Sequence, residues 1–244
     1  MRKGRRNEEQ AEESMSRRRM KRVRGQKPEF SGYKPRKLIP RSKNQEEYKY
    51  AIEHSAITLC HGPAGTGKTH LAAGIAVKMM RSKQIEKIVI CRPVVGVGKD
   101  IGYLPGSMED KVGPYLVPLF DEFSYYCENS LLKKWAEDGS LEIVPLSMMR
   151  GRTFNNCFVI LDEAQNASMI ELRMLLTRIG KGSTMVVSGD LNQSDLPEQF
   201  AGSFNKVVRR LDGLDGVSIV ALTPVDIVRH PLIGQIEARL NVGD

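Results

Sequence analysis

The chain has 244 residues, 41% of them hydrophobic, which suits one large domain or two small ones with a sizeable core. Its net charge of +8 is uneven: residues 1–43 hold 16 Lys/Arg against 5 Asp/Glu, whereas residues 44–244 hold 21 against 24. No apolar run approaches the ~18 residues of a membrane span, and the charged N-terminus lacks the apolar stretch of a secretory signal, so no membrane association is expected. The four cysteines (Cys60, Cys91, Cys127, Cys157) include no pair at metal-ligand or redox spacing. That predicts buried free thiols in a reducing compartment, the cytoplasm (the host cytoplasm for a phage-encoded chain).

Residues 1–35 read as a basic, flexible arm. Its stretch RRNEEQAEESMSRRRMKR can pair Glu with Arg near i, i+4 spacing but offers no apolar face to pack. Such an arm either neutralises nucleic-acid phosphates or serves as a solvated tail. Residues 36–244 read as one globular domain. A helix is predicted over 45–53, a buried strand over 56–60, a helix over 70–80 and a strand over 86–91. A Gly/Pro-containing loop follows over 92–113, then helices over 115–128 and 130–137 and a strand over 141–146. The chain continues with a strand from 157 that runs into a loop at 165, and a helix over 168–179 opened by Ser168 with Glu171 three residues on. A strand over 183–190, a helix over 204–211, a strand over 217–222 and a helix over 232–240 complete it. Strands alternating with helices imply an α/β fold, a mostly parallel sheet covered by helices on both faces. The continuous apolar runs suit strands buried on both sides.

Residues 62–69, GPAGTGKT, fit the phosphate-loop pattern G-x-x-x-x-G-K-[ST] at every position. Gly62, Gly65 and Gly67 let main-chain amides approach phosphates, and Pro63, Ala64 and Thr66 complete the loop. The following helix N-terminus, with His70 at its start, adds partial positive charge. Lys68 can reach the β- and γ-phosphates of a nucleoside triphosphate, and the Thr69 hydroxyl can hold Mg²⁺. The acidic half of such a site is FVILDEAQ: Asp162, after four apolar residues, is placed to hold Mg²⁺ through water, and Glu163 to polarise the attacking water as general base. SGDLNQSDLP (188–197) lies at another strand end, where open α/β sheets bind ligands. There Asp190 or Gln193 can contact the γ-phosphate or the water.

Charge in a phosphoryl-transfer transition state calls for a mobile cation. Arg150, Arg152, Arg178 and Arg229 are the finger candidates, any of them acting from a neighbouring subunit. His61 and His230 are poor base candidates by position.

Taken together, GPAGTGKTHLA, CRPVVGVGKDIGYLPG, DKVGPYLVPLFDEF, VPLSMMRGRTFNNCFVILDEAQNAS, LTRIGKGSTMVVSGDLNQSDLP and DIVRHPLI resemble the PhoH family over residues 36–240. The resemblance implies a P-loop NTPase with a single RecA-like domain similar to superfamily 1 helicase motors, using ATP and Mg²⁺. It also implies that Gln45 reads adenine through its two-sided amide, that Gln193 links the γ-phosphate to a nucleic-acid site, and that the Gly/Pro loop over 92–113 lies where helicase-like cores touch a nucleic-acid backbone, with Arg92 and Lys99 as the candidate contacts. Related proteins carry a PIN nuclease domain; with about 43 residues before the core and no acidic cluster there, no nuclease is expected.

The expected activity is Mg²⁺-dependent ATP hydrolysis coupled to RNA or single-stranded DNA, in a homo-oligomer with a hexameric ring as the family-like guess. The main alternative is an ATP-switched nucleic-acid-binding or adaptor protein without unwinding activity. A P-loop kinase is a further rival, and Glu163 argues against it.

Overall fold

The computed structural model of the chain describes residues 36–93, 119–197, 201–228 and 239. The arm over 1–35, Lys99, Arg229, His230 and nearly all of the expected C-terminal helix lie outside the described residues.

Six strands form one sheet: β1 (Ile57–His61), β2 (Lys87–Arg92), β3 (Leu141–Pro145), β4 (Cys157–Leu161), β5 (Thr184–Gly189) and β6 (Val217–Ala221). The order across the sheet is β3-β2-β4-β5-β1-β6, and every pair is parallel. All carboxyl ends therefore lie on one edge. β5 is inserted between β1, which leads into the phosphate loop, and β4, which ends at Asp162. Register sets the depth of each group: Cys60 lies beside Ser188, and Cys91 beside Leu161.

The helices are α1 (Lys43–His54), α2 (Lys68–Arg81), α3 (Asn129–Glu137), α4 (Met169–Leu176) and α5 (Ser203–Leu211). Side chains alternate along a strand, so each strand feeds two cores. On one face Cys60, Ile88, Ile90, Phe158, Ile160 and Val186 pack against α1, α2, α3 and the helical stretch 119–124. On the other face Leu59, Val89, Val159, Leu161, Met185 and Val187 pack against α4 and α5. All five residues of β4 are buried, at about 1.5–3 kcal/mol for each large apolar side chain. The acidic pair Asp162–Glu163 follows directly from the end of this fully buried strand. The four cysteines are free and buried, and burial pushes the Cys60 thiol up to about 12.

Two expected helices end early. The expected helix over 168–179 opens with the Ser168–Glu171 capping box but stops at Leu176. The Thr177 hydroxyl turns back to the carbonyls of Arg173 and Met174, and Ile179 is drawn into a parallel bridge with Phe154. The expected helix over 115–128 ends by residue 124 in a turn, where the N–H groups of Tyr126 and Cys127 both donate to the Phe123 carbonyl. The Tyr125 carbonyl then accepts the Arg36 N–H at 3.2 Å, which ties the start of the described chain to this turn.

Candidate nucleotide site

The phosphate loop follows β1 and wraps the start of α2. Its geometry depends on glycine: Gly62, Gly65 and Gly67 all have positive φ (151°, 80° and 85°). The Val228 N–H bonds the Gly65 carbonyl at 3.1 Å, and the Gly62 N–H bonds the Gly189 carbonyl at 3.2 Å. Gly67 is the N-cap of α2 and brings no side-chain acceptor to the first-turn amides. Those amides and the helix dipole favour an anion there.

Lys68 Nζ donates to the carbonyls of Gly62 at 2.6 Å and Pro63 at 2.9 Å. Burial holds its pKa below the ordinary lysine range, partly opposed by Cys60, Asp190, Asp162 and Glu163. A phosphate would satisfy this ammonium better than two neutral carbonyls. Thr69 Oγ1 donates to Asp162 Oδ1 at 2.7 Å, and Ser188 Oγ donates to the same oxygen at 3.2 Å. Asp162 is only 8% exposed. Burial raises its pKa, the adjacent Glu163 adds to the rise, and the two hydroxyls and Arg92 oppose it. A hydroxyl and a destabilised carboxylate in contact at a helix N-terminus form a hard oxygen donor pair, which fits Mg²⁺.

Glu163 follows directly and adopts a left-handed conformation, φ 55° and ψ 42°. Such backbone is uncommon outside glycine and clusters at functional sites. Its Oε1 accepts from Arg92 Nη2 at 2.9 Å and its Oε2 from Gln165 Nε2. Gln165, to which no sequence motif assigns a role, is buried and links the ends of β4 and β5: its Oε1 accepts the Asp190 N–H at 3.0 Å, and its main-chain carbonyl accepts Ser194 Oγ at 3.1 Å. The only sequence signal for it was its place two residues beyond Glu163. Asp190 is buried, while Gln193 is exposed; both line the same cavity as Lys68 and Glu163, about 760 Å³ in volume. That size suits a small-molecule ligand.

The structure places the remaining candidates as follows. His70 lines the cavity, its Nδ1 2.7 Å from Glu122 Oε2 and its ring against Tyr125 and Tyr126. Gln45 also lines it but is 3% exposed, and its amide spans two main-chain groups: Nε2 donates to the Thr66 carbonyl at 2.9 Å, and Oε1 accepts the Arg41 N–H at 2.7 Å. In this state the amide braces the phosphate loop, so adenine would have to displace one of these bonds. Arg92, expected to face nucleic acid, is paired with Glu163. Arg152 precedes β4 at the opposite sheet edge, where it bonds Glu142 and lies over the Phe154 ring. Arg178 lies at the same far edge, its Nε on the Met174 carbonyl at 3.2 Å. Neither reaches the phosphate loop of its own chain. Burial lowers the His61 pKa, with Asp190 opposing.

A parallel sheet with a phosphate loop after one strand and a buried aspartate ending another, with a single strand between them, defines a P-loop NTPase. The fold is similar to that of the large terminase from a thermophilic bacteriophage, with a TM-score of 0.55 at 10% identity, covering 84% of this chain and 51% of that one. The family model described as PhoH-like protein matches residues 37–241, and the chain belongs to that family. A PhoH-like protein of Mycobacterium tuberculosis is 43% identical over 199 residues, covering 82% of this chain and 56% of the relative. One from Bacillus subtilis is 40% identical over 203 residues, covering 83% and 64%. The chain thus spans rather more than half the length of these relatives. Among the described residues, no helix is long and apolar enough to cross a membrane.

Proposed function

We propose that the chain binds ATP with Mg²⁺ in this cavity and hydrolyses it, with turnover coupled to RNA or single-stranded DNA. One observation carries the reading: Lys68, the Thr69–Asp162 pair and Glu163 converge on a single sheet edge around an anion-binding loop. Phosphoryl transfer requires positioning and charge stabilisation more than covalent chemistry. The loop amides and Lys68 would hold the β- and γ-phosphates. Thr69 and Asp162 would hold Mg²⁺, which when bound neutralises phosphate charge. Glu163 would accept a proton as water attacks the γ-phosphorus; the bond to the β–γ bridging oxygen breaks, and ADP and phosphate leave. Gln193, at the cavity wall, would sense the γ-phosphate.

Because Arg152 and Arg178 lie at the far edge of their own chain, a finger from either would have to come from a neighbouring copy. A finger of that kind would make the working form a homo-oligomer, and a hexameric ring is the closed form we propose. Two candidates remain: Arg150, which is exposed, and Arg229, which directly follows Val228, whose N–H anchors the loop. Residues 1–35 would act as a basic arm that adds salt-sensitive affinity for nucleic acid.

The test is phosphate release with and without single-stranded RNA, single-stranded DNA and duplexes, read beside the assembly mass by light scattering. Lys68→Ala should remain folded and lose nucleotide binding. Glu163→Gln should keep ATP and slow hydrolysis by about 10²–10⁴-fold. Normal turnover by Glu163→Gln would refute the base assignment, and a monomer in the presence of ATP would refute the ring.

A further inference from the structure

Both oxygens of the Glu163 carboxylate are engaged by protein donors, one by a guanidinium and one by a carboxamide. A general base needs an oxygen aimed at water, so this arrangement is a resting one. The two donors differ in kind. Gln165 is buried and locked to the β5 loop through the Asp190 N–H and Ser194 Oγ. The space it occupies exists because Gly189 has no side chain: a Cβ there would lie 2.7 Å from Gln165 Oε1. Arg92, by contrast, ends β2 at the ligand edge, and the side chains of the Arg92–Glu163 pair are 30% and 36% exposed. A pair this exposed is screened by water and salt and is cheap to exchange. A guanidinium also matches a phosphodiester at least as well as a carboxylate, through two parallel N–H bonds.

We propose that Arg92 is a positioning residue that parks Glu163, and that a nucleic-acid backbone phosphate which takes the Arg92 guanidinium frees Glu163 to act on water. The contact that senses the strand and the restraint on the base are then the same side chain, so binding cannot occur there without loosening the base. Gln165 keeps hold of the other oxygen and steers the freed carboxylate along the β5 edge, beside Asp190 and Gln193. The inference rests on the ATPase reading above and adds how that activity is restrained.

The experiment uses the full chain and measures phosphate release against ATP concentration, without polymer and with oligouridylate or oligothymidylate. In Arg92→Ala the polymer-free kcat should rise several-fold towards the stimulated wild-type value. Stimulation should fall towards one-fold, and KM for ATP should hold within about twofold. Arg92→Lys keeps the charge without the planar fork and should fall between the two proteins; it also serves if Arg92→Ala does not fold, as judged by its thermal melt. A structural defect would lower kcat with and without polymer alike and would not change their ratio in this direction. Unchanged or lower polymer-free turnover in a folded Arg92→Ala overturns the parking role even if stimulation is lost, because Arg92 would then be only a contact or a required catalytic group. Wild-type turnover that neither polymer stimulates overturns the coupling and leaves the ATPase reading standing. Absence of wild-type turnover overturns both.

Discussion

Replacing Gly62 by alanine adds one methyl group where the phosphate loop passes under the end of β6. That Cβ would lie 2.2 Å from the Leu222 carbonyl oxygen, and one of the two must move by about 0.8 Å to restore even a 3.0 Å contact. Moving Leu222 strains its N–H bond to the His61 carbonyl, now 2.8 Å, which is worth about 0.5–1.5 kcal/mol net. The positive φ of 151° adds about 1–3 kcal/mol of backbone strain. The sum is about 1.5–4.5 kcal/mol, or roughly 3–18 °C in Tm for a domain of this size. Gly139→Ala is the internal control: its φ is 76°, yet nothing lies within 4 Å of the added Cβ, so only strain of about 1–2 kcal/mol applies. Denaturant melts of both variants, at matched protein concentration and without nucleotide, separate the two effects. Gly62→Ala should also bind ATP more weakly, because the Gly62 carbonyl that holds Lys68 is displaced. Equal loss of stability in the two variants would refute the crowding argument.

Burial raises the Asp162 pKa, so above its ordinary value of 3.8 the folded protein keeps a proton that the unfolded chain has already lost. Stability from this residue therefore declines as pH rises through that window. Asp162→Asn, whose Oδ1 can still accept from Thr69 and Ser188, should make the nucleotide-free protein more stable than wild type at pH 7 and flatten the decline, while abolishing Mg²⁺-dependent nucleotide binding. Chemical denaturation at acidic and neutral pH checks the sign. Ser168→Ala removes the hydroxyl that accepts the Glu171 N–H at 3.3 Å and donates to Glu171 Oε2 at 2.7 Å. It should cost about 1 kcal/mol, a fall of about 2–4 °C in Tm, with ATP affinity unchanged. The thermal melt and a binding titration read the two halves separately.

Local chemistry was legible in the chain itself. The phosphate loop is contiguous, so its glycines, Lys68 and Thr69 declare the turn and the helix start together. The apolar runs of β2, β4 and β5 announced strands buried on both faces, because a strand that feeds two cores has no polar side. The capping box at Ser168 was readable because both partners lie within one turn. Strand order was not: nothing in the sequence says that β5 enters between β1 and β4, although that insertion sets Ser188 against Asp162 and Asp190 against Gln165. Nor could the chain reveal that Arg92 pairs with Glu163, 71 positions away, or that Glu142 engages Arg152 at the opposite edge. These partners are chosen by register between strands remote in sequence. Register follows from how both faces of the whole sheet are filled, whereas a motif needs only its own neighbours.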